Sequence, residues 1–301
     1  ASGDSSIAHS LAHAVLMERL SSVTVSEAVN QSRTIALELE RLANHVGDLG
    51  AIAGDTGFLP TSSWNGRIRG DILTMTALLC GNRFGRSYVR PGSVLTIPDD
   101  ALCEELEKRR QLSERDAIGS VGCMFKSNSV LERMHGIGTL SKDTAKTLGI
   151  LGVAAKASGL PLDARFSSPL SYERVPFTPV TAENGDVEAR ALIREKEMRA
   201  SFAMVHDSLA QLAKKKAQTP PPMAISSLPA NTLCVSQVEG FRGEIVHLGL
   251  TNDHNGFLLY KVIDPSFHNW MGLALALRGN QISDFPLCNK SFNLSYCGYD
   301  L

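Results

Sequence analysis

Residues 26–48, "SEAVNQSRTIALELERLANHVGD", constrain the fold more than any other stretch. Ile35, Leu39, Leu42 and Val46 recur at i, i+4, i+7 and i+11, which is one apolar stripe along a helix. Ser26 stands where an N-cap belongs. The spacing predicts a helix over 26–48, long enough that other elements must pack along it. Glu38, Arg41 and His45 follow one another at i, i+3 and i+7. With Glu40, Asn44 and Asp48 they make a charged cluster, expected to be a solvated face or a seam between subunits.

Helical spacing also marks 5–20, 69–81, 99–110 and 186–214, whereas 113–149 breaks into short pieces at Gly119, Gly122, Gly136 and Gly138. Gly54 to Gly57 reads as a turn, and 149–169 is rich in small residues of the kind that pack backbone close to a neighbour. "TPPPM" at Thr219–Met223 is a stiff break. Two strands are expected over 243–250 and 257–263, joined by the turn "TNDHNG", then a short helix over 267–279 and an irregular tail. The fold class is therefore mainly α with a small antiparallel β element, an α+β arrangement. A helical core over 1–218 is expected to be followed, over 219–301, by a β-hairpin and a C-terminal segment packing back on it.

Composition narrows function chiefly by exclusion. With a net charge of -1 over 301 residues, nucleic acid or an anionic membrane surface has no electrostatic support. No apolar run reaches the ~18–20 residues of a bilayer span. Six cysteines are scattered without a C-x-x-C pair, which fits reduced thiols and a cytosolic setting. The chain starts without Met in the middle of a pattern, which reads as a fragment lacking an N-terminal region.

Ser2-Gly3-Asp4-Ser5, with His9 four residues on, has the frame of a C-G-x-C metal motif with serine at both cysteine positions. A serine hydroxyl stays protonated at neutral pH and is a hard donor, so it does not replace a thiolate for nickel, iron or zinc. His9 and His13 share a helix face at i, i+4 and could chelate a metal. Without an H-E-x-x-H pattern, two partly buried, hydrogen-bonded histidines are the plainer reading. "GNRFGRSYVRPG" places Arg83, Arg86 and Arg90 together, for an anion or for acidic partners. No G-x-G-x-x-G follows a strand, and no G-x-S-x-G elbow is present.

Six segments, in order, carry a resemblance: "AHSLAHAVLMERL", "ELERLANHVGDLGAIAGDTGF", "LLCGNRFGRSYVRPG", "GVAAKASG", "EGFRGEIVHLGL" and "DPSFHNWMGLALALRGNQISDFPLCNKSF". The chain resembles, almost end to end, the large subunit of energy-converting nickel–iron hydrogenases of the formate hydrogenlyase type. It also resembles their relative, the quinone-binding 49-kDa-type subunit of respiratory complex I. The resemblance implies a hydrogenase large-subunit-like helical core. That family's first C-x-x-C pair aligns with Ser2 and Ser5, and its next His with His9. Its second pair aligns with Ser295 and Gly298, leaving Cys297 one residue out of register. All four nickel–iron ligand positions are lost, which argues against hydrogen chemistry and for no metal. The complex I quinone-contacting Tyr aligns with Gly3, and its cluster-facing His with Gly85.

Two readings follow from the resemblance. In one, the chain is the large subunit of a membrane-associated electron-transfer complex. A cavity lined by Ser2, Asp4, Ser5, His9, Asp284, Ser295 and Cys297 would take a quinone or similar acceptor, with Asp4 or His9 as proton donor. Electrons would come from an iron–sulfur cluster in a partner small subunit, and this chain would bind no cofactor of its own. In the other, it is a non-catalytic scaffold that docks that small subunit and the membrane subunits. Either way it is expected in the cytoplasm, peripheral on the inner face of the membrane, and not itself a hydrogenase.

Overall fold

Helix α2 spans Glu27–Asp55 and is the axis on which the rest is assembled. Ser26 caps it, accepting a hydrogen bond from the Val29 N–H at 3.4 Å. The computed structural model of the chain describes residues 3–167, 170, 180–213, 219–222 and 227–301. Ser2, Lys214, Met223 and the expected segment boundary near 218 lie outside the described residues. Helix α1 (Ser6–Leu20) precedes α2, and α3 (Leu59–Cys80) folds back along it. A two-residue strand pair follows, β1 (Val89–Arg90) with β2 (Ser93–Val94), and then α4 (Asp100–Phe125). Three short helices come next: α5 (Asn128–Met134), α6 (Lys142–Leu148) and α7 (Gly152–Ala157). Helix α8 (Val187–Leu212) packs on α2 from another side.

The late β element is an antiparallel sheet in the order β3 (Leu233–Gly240), β4 (Gly243–Thr251), β5 (Phe257–Ile263). Phe241 and Arg242 make the tight β3–β4 turn, with Gly240 paired to Gly243. The sheet lies against α1. Helices α9 (Pro265–Ala276), α10 (Phe285–Phe292) and α11 (Tyr296–Tyr299) close the chain, and α10 returns to α2 and α8. The mainly α architecture with a small antiparallel β element is as the sequence predicts.

Several boundaries differ from expectation, each for a packing reason. Helix α2 continues past 48 through Gly54, because Gly47, Gly50 and Gly54 lie against α3. A Cβ on Gly50 would sit 2.8 Å from the Asn65 Cβ. Helix α3 begins ten residues before the expected Arg69, with Pro60 in its first turn, where a missing N–H is harmless. Helix α4 runs through Gly119 and Gly122 to Phe125, because Ala117, Ser120, Val121 and Met124 bury one face. Strand β3 adds a third member to the expected hairpin, and the tail expected to be irregular forms α10 and α11.

The α2 charged cluster is the largest correction. It is neither solvated nor a seam: Glu38, Glu40, Arg41, Asn44, His45 and Asp48 are all buried within the chain. Arg41 donates to Glu38 at 3.0 Å and to the Gly240 and Glu239 carbonyls at 2.8 and 2.7 Å. His45 Nε2 bonds Glu197 on α8 at 2.7 Å, and Arg194 Nε donates to Asp48 at 3.1 Å. Lys156 on α7 reaches Asp163, Glu197 and Glu239 at 2.7, 2.6 and 3.1 Å. Burial raises carboxyl groups on its own, yet Lys156, His45 and Arg165 hold Glu197 well below the usual range.

The small-residue segment after Gly149 packs backbone on backbone. Gly152, at φ +60, opens α7 against the β3–β4 turn, where a Cβ would lie 2.0 Å from the Arg242 carbonyl oxygen. Lys156→Met should lower unfolding free energy by about 3–5 kcal/mol, since it strands buried carboxylates. Urea unfolding followed by circular dichroism measures this. Gly152→Ala should also destabilise, and should displace the Arg242 turn. Loss of protection in that turn by amide exchange would show it.

Candidate functional site

The opening stretch and the tail are joined through Arg242. Asp4, just before α1, takes a two-pronged ion pair from Arg242, with Nη1 and Nη2 at 3.0 and 2.8 Å from its carboxylate oxygens. The Asn44 amide donates to the Asp4 carbonyl at 3.0 Å, and Arg242 Nε donates to the Asn293 carbonyl. Residue 4 is thus tied to α2, to the β3–β4 turn and to the tail. The pairing with Arg242 follows from the turn, which leaves a long side chain next to Gly243 free to reach back over α1.

Ser5 is the N-cap of α1 by position, yet its side chain makes no cap bond. Its hydroxyl is buried and has no hydrogen-bond partner among the described residues. Ser295 is differently placed. Its hydroxyl caps α11 by accepting from the Gly298 N–H at 3.0 Å, and lies 3.2 Å from the Cys297 sulfur. Its N–H donates to Ser266 Oγ at 3.0 Å. Cys297 itself is exposed. At Gly298 the space that a side chain needs is already filled: a Cβ there would lie 2.6 Å from the Asp264 carboxylate. Asp284 does not join this group. It pairs with Arg133 at 2.6 Å and accepts from the Gln281 N–H at 3.0 Å.

His9 is buried one turn into α1. Its Nε2 is 3.1 Å from Asp264 Oδ2, and its Nδ1 is 3.3 Å from His247 Nε2. His13, on the same helix face but exposed, has its Nδ1 2.9 Å from the Tyr260 hydroxyl. The two histidines do not converge on one point, and each has a hydrogen-bond partner. Among the described residues, three possible metal donors come together elsewhere, at His135, Asp186 and Glu188. There Asp186 already accepts from the Gly136 and Ala189 N–H groups.

A cleft opens beside Asp4, between the start of α1, the middle of α2, α3 and the loop after Cys80. Its cavity volume is about 20 Å³, room for one water, and Gly3, Asp4, Ile7, Glu40, Arg69 and Phe84 stand in its wall. Glu40 is its buried acid, accepting from the Ile7 and Ala8 N–H groups at 2.7 and 3.2 Å. Burial pushes the Glu40 carboxyl up to about 8, against the pull of those two bonds, and the charge of Asp4 adds to the rise. Glu40 is therefore largely protonated at neutral pH. At the rim, Arg83 and Arg86 flank the Phe84 ring at 4.6 and 5.9 Å. Neither has a carboxylate partner among the described residues.

Glu40, Arg242, His247, Tyr260 and Asp264 belong to the site although sequence reasoning does not single them out for it. Glu40 is visible there only as part of a charged helix. His247 has a signal, being a polar residue at an inward position of the alternating strand Gly243–Thr251. Asp264 has another, standing before Pro265 as an N-cap, where it accepts from the Ser266 N–H at 2.8 Å.

Residues 55–228 match the family described as respiratory-chain NADH dehydrogenase, 49 Kd subunit. NADH-quinone oxidoreductase subunit 4 of Thermus thermophilus is 30% identical over 305 positions, covering 93% of this chain and 74% of the relative. An NADH-quinone oxidoreductase subunit of Herpetosiphon aurantiacus is 31% identical, covering 96% of this chain and 79% of its own. Hydrogenase-4 component G of Escherichia coli is 28% identical over 96% of this chain, but over only 49% of its own length. Both branches of the resemblance are thus represented among the relatives. With more than half its length matching that profile, and relatives of that kind aligned along nearly all of it, this chain belongs to the 49-kDa subunit family of respiratory-chain NADH dehydrogenases.

Proposed function

We propose that this chain is the large, hydrogenase-like subunit of an electron-transfer complex, that it holds no nickel–iron centre, and that its cleft receives a quinone or similar acceptor. The observation that carries the reading is the buried Glu40 carboxyl, which only the Ile7 and Ala8 N–H groups reach among the described residues, in the wall of a part-apolar pocket beside Gly3 and Asp4. Reducing a quinone to a quinol consumes protons along with electrons, and a carboxyl poised near neutrality can deliver one. Ile7, Leu73 and Phe84 supply apolar wall, Arg69 and Thr76 supply polar ends, and a ring enters by widening the pocket from its present volume of about 20 Å³. Asp4, held by Arg242, fixes the mouth of the cleft, and His9 supplies a second proton-bearing group one turn along α1.

The donor set does not fit a dinuclear metal. Three of the four aligned ligand positions, Ser2, Ser5 and Ser295, are serines, and the Ser295 hydroxyl is engaged in the α11 cap. At Gly298 the Asp264 carboxylate occupies the place of a ligand side chain. Soft thiolates are what such metals select, and no hydroxyl of this kind replaces them.

As the resemblance implies, electrons come from an iron–sulfur cluster in a small partner subunit, and membrane subunits complete the assembly. Arg83 and Arg86 stand beside the cleft as the docking or electrostatic edge for that partner. The subunit's place is peripheral, on the cytoplasmic face of the membrane. No helix among the described residues is long and apolar enough to cross one. The filled position at Gly298 favours a second reading on one point, a packed relic that serves assembly alone.

Reduction of a soluble quinone analogue by the assembled complex separates the two. Glu40→Gln should slow it by about 100-fold or more, the usual worth of a general acid. His9→Ala should slow it as well, whereas Asp4→Asn should chiefly weaken acceptor binding. Absence of any acceptor-dependent turnover, or indifference to Glu40→Gln, would leave the scaffold reading. Stoichiometric nickel in the purified complex would overturn both.

Glu40 also predicts a pH effect on stability. Its folded value lies above the unfolded one, so its contribution is complete below about 4.5 and is lost as pH rises to about 8. Unfolding free energy should therefore fall across that interval in the wild type. In Glu40→Gln the fall should be smaller, as measured by denaturant titration at each pH.

A further inference from the structure

Behind the cleft, five side chains from α1, β4, β5 and the start of α9 form one unbroken line of hydrogen bonds. Asp264 Oδ2 lies 3.1 Å from His9 Nε2. His9 Nδ1 lies 3.3 Å from His247 Nε2. His247 Nδ1 lies 2.8 Å from the Tyr260 hydroxyl, which lies 2.9 Å from His13 Nδ1. We propose that this line is a proton relay, carrying protons from solvent at His13 inward to His9 and Asp264. The inference rests on the reading above, in which His9 is a proton-bearing group of the site.

The direction of every bond follows from its inner end. Burial alone would raise the Asp264 carboxyl, but hydrogen bonds from His9 and Ser266 keep it below its ordinary value, so it is an acceptor. His9 then donates through Nε2–H, and in its neutral form accepts at Nδ1. The only proton His247 can offer there is on Nε2, which leaves its Nδ1 to accept the Tyr260 O–H. The Tyr260 oxygen in turn accepts from His13 Nδ1–H. The resting chain has one consistent polarity, and it requires a neutral His247. Burial first, then the neighbouring histidines, push His247 down to about 3, while burial pushes Tyr260 up to about 12. Neither group holds a net charge between those limits, so each passes a proton on.

The step balances without any other reactant. A proton from water binds His13 Nε2, and His13 gives its Nδ1 proton to the Tyr260 oxygen. Tyr260 gives its own proton to His247 Nδ1, and His247 gives its Nε2 proton to His9 Nδ1. His9 gives its Nε2 proton to Asp264 Oδ2. One proton has entered and the inner carboxylate has become a carboxylic acid. Return of that proton to His9, its transfer from His9 to the quinone-like acceptor of the reading above, and rotation of the hydroxyl and ring tautomers restore the start. The ends are correctly placed: His13 is exposed, whereas His9, His247 and Asp264 are buried. At the inner end the Asp264 carboxylate abuts Gly298.

Sheet register brings these groups together. His247 pairs with Val262 across β4–β5, so Tyr260 is its diagonal neighbour on the same face, within reach of an aromatic side chain. Tyr260 packs edge-on to both Phe257 and His247, so its ring stays in place if the hydroxyl is removed.

Tyr260→Phe therefore breaks the line by one oxygen. In the assembled complex with 15N-labelled histidine, nitrogen shifts should show the Nε2–H form for His9 and His247 and the Nδ1–H form for His13. In Tyr260→Phe, His13 should revert to the Nε2–H form that water favours. Quinone-analogue reduction should slow about tenfold or more, with a larger solvent deuterium isotope effect. In His13→Ala, added imidazole should restore part of the rate, which a purely structural defect would not allow. An unchanged His13 tautomer in Tyr260→Phe, or an unchanged rate and isotope effect, overturns the relay. A wild-type complex that reduces no acceptor but shows the tautomer switch overturns the acceptor reading instead, and leaves the relay standing.

Discussion

Lys156 is the residue on which the interior depends. Its ammonium group is fully buried and reaches three carboxylates, from α8, from β3 and from the loop after α7. A single buried charge is prohibitively unfavourable, and a buried pair roughly breaks even. A lysine meeting three acids, with Arg165 also on Asp163 at 2.7 Å, is a neutralising network with its geometry fixed by many partners. Removing any one member strands the others. The consequence is a helical core that tolerates little relative movement among α2, α7, α8 and the sheet. His45 and Arg41 carry the same network into α2, so the longest helix is held in rotation as well as in place.

That rigidity positions the site. The β3–β4 turn is pinned by Arg41 from α2 and pressed against Gly152 of α7. Because the turn cannot move, Arg242 presents its guanidinium to Asp4 and Asn293 at a fixed height. The chain's start and its tail are thereby closed over one another. The same closure brings Asp264, at the end of β5, to His9 on α1. There the Asp264 carboxylate fills the space that a side chain at Gly298 would need.

Two acids of opposite character result from the same burial. Glu40 has only backbone N–H groups to accept from, which do not offset desolvation, so it keeps its proton. Asp264 has a histidine and a helix start, which do offset it, so it stays ionised. Pairs of titratable groups pushed apart in this way are how one site both holds and releases protons near neutrality.

Read as a linear string, the residues suffice for the helical class, the position of the long central helix and the late antiparallel element. Those follow from period, from turn residues and from the identity of single side chains, all of which are local. They do not reveal that the charged positions of α2 face inward. A carboxylate on a helix, such as Asp48, reads as solvated until an arginine from residue 194 and a lysine from residue 290 are brought to it across a hundred residues or more. Nor do they place the boundaries of α3 and α4, because a glycine that breaks an isolated helix is the residue that lets two packed helices approach. His9 and His13 are legible as one helix face. That they are joined in a line through His247 and Tyr260 follows from the register of β4 on β5 and the packing of that sheet against α1. Hydrogen-bond chains are contacts between side chains far apart in sequence, and their distances are set when the elements pack.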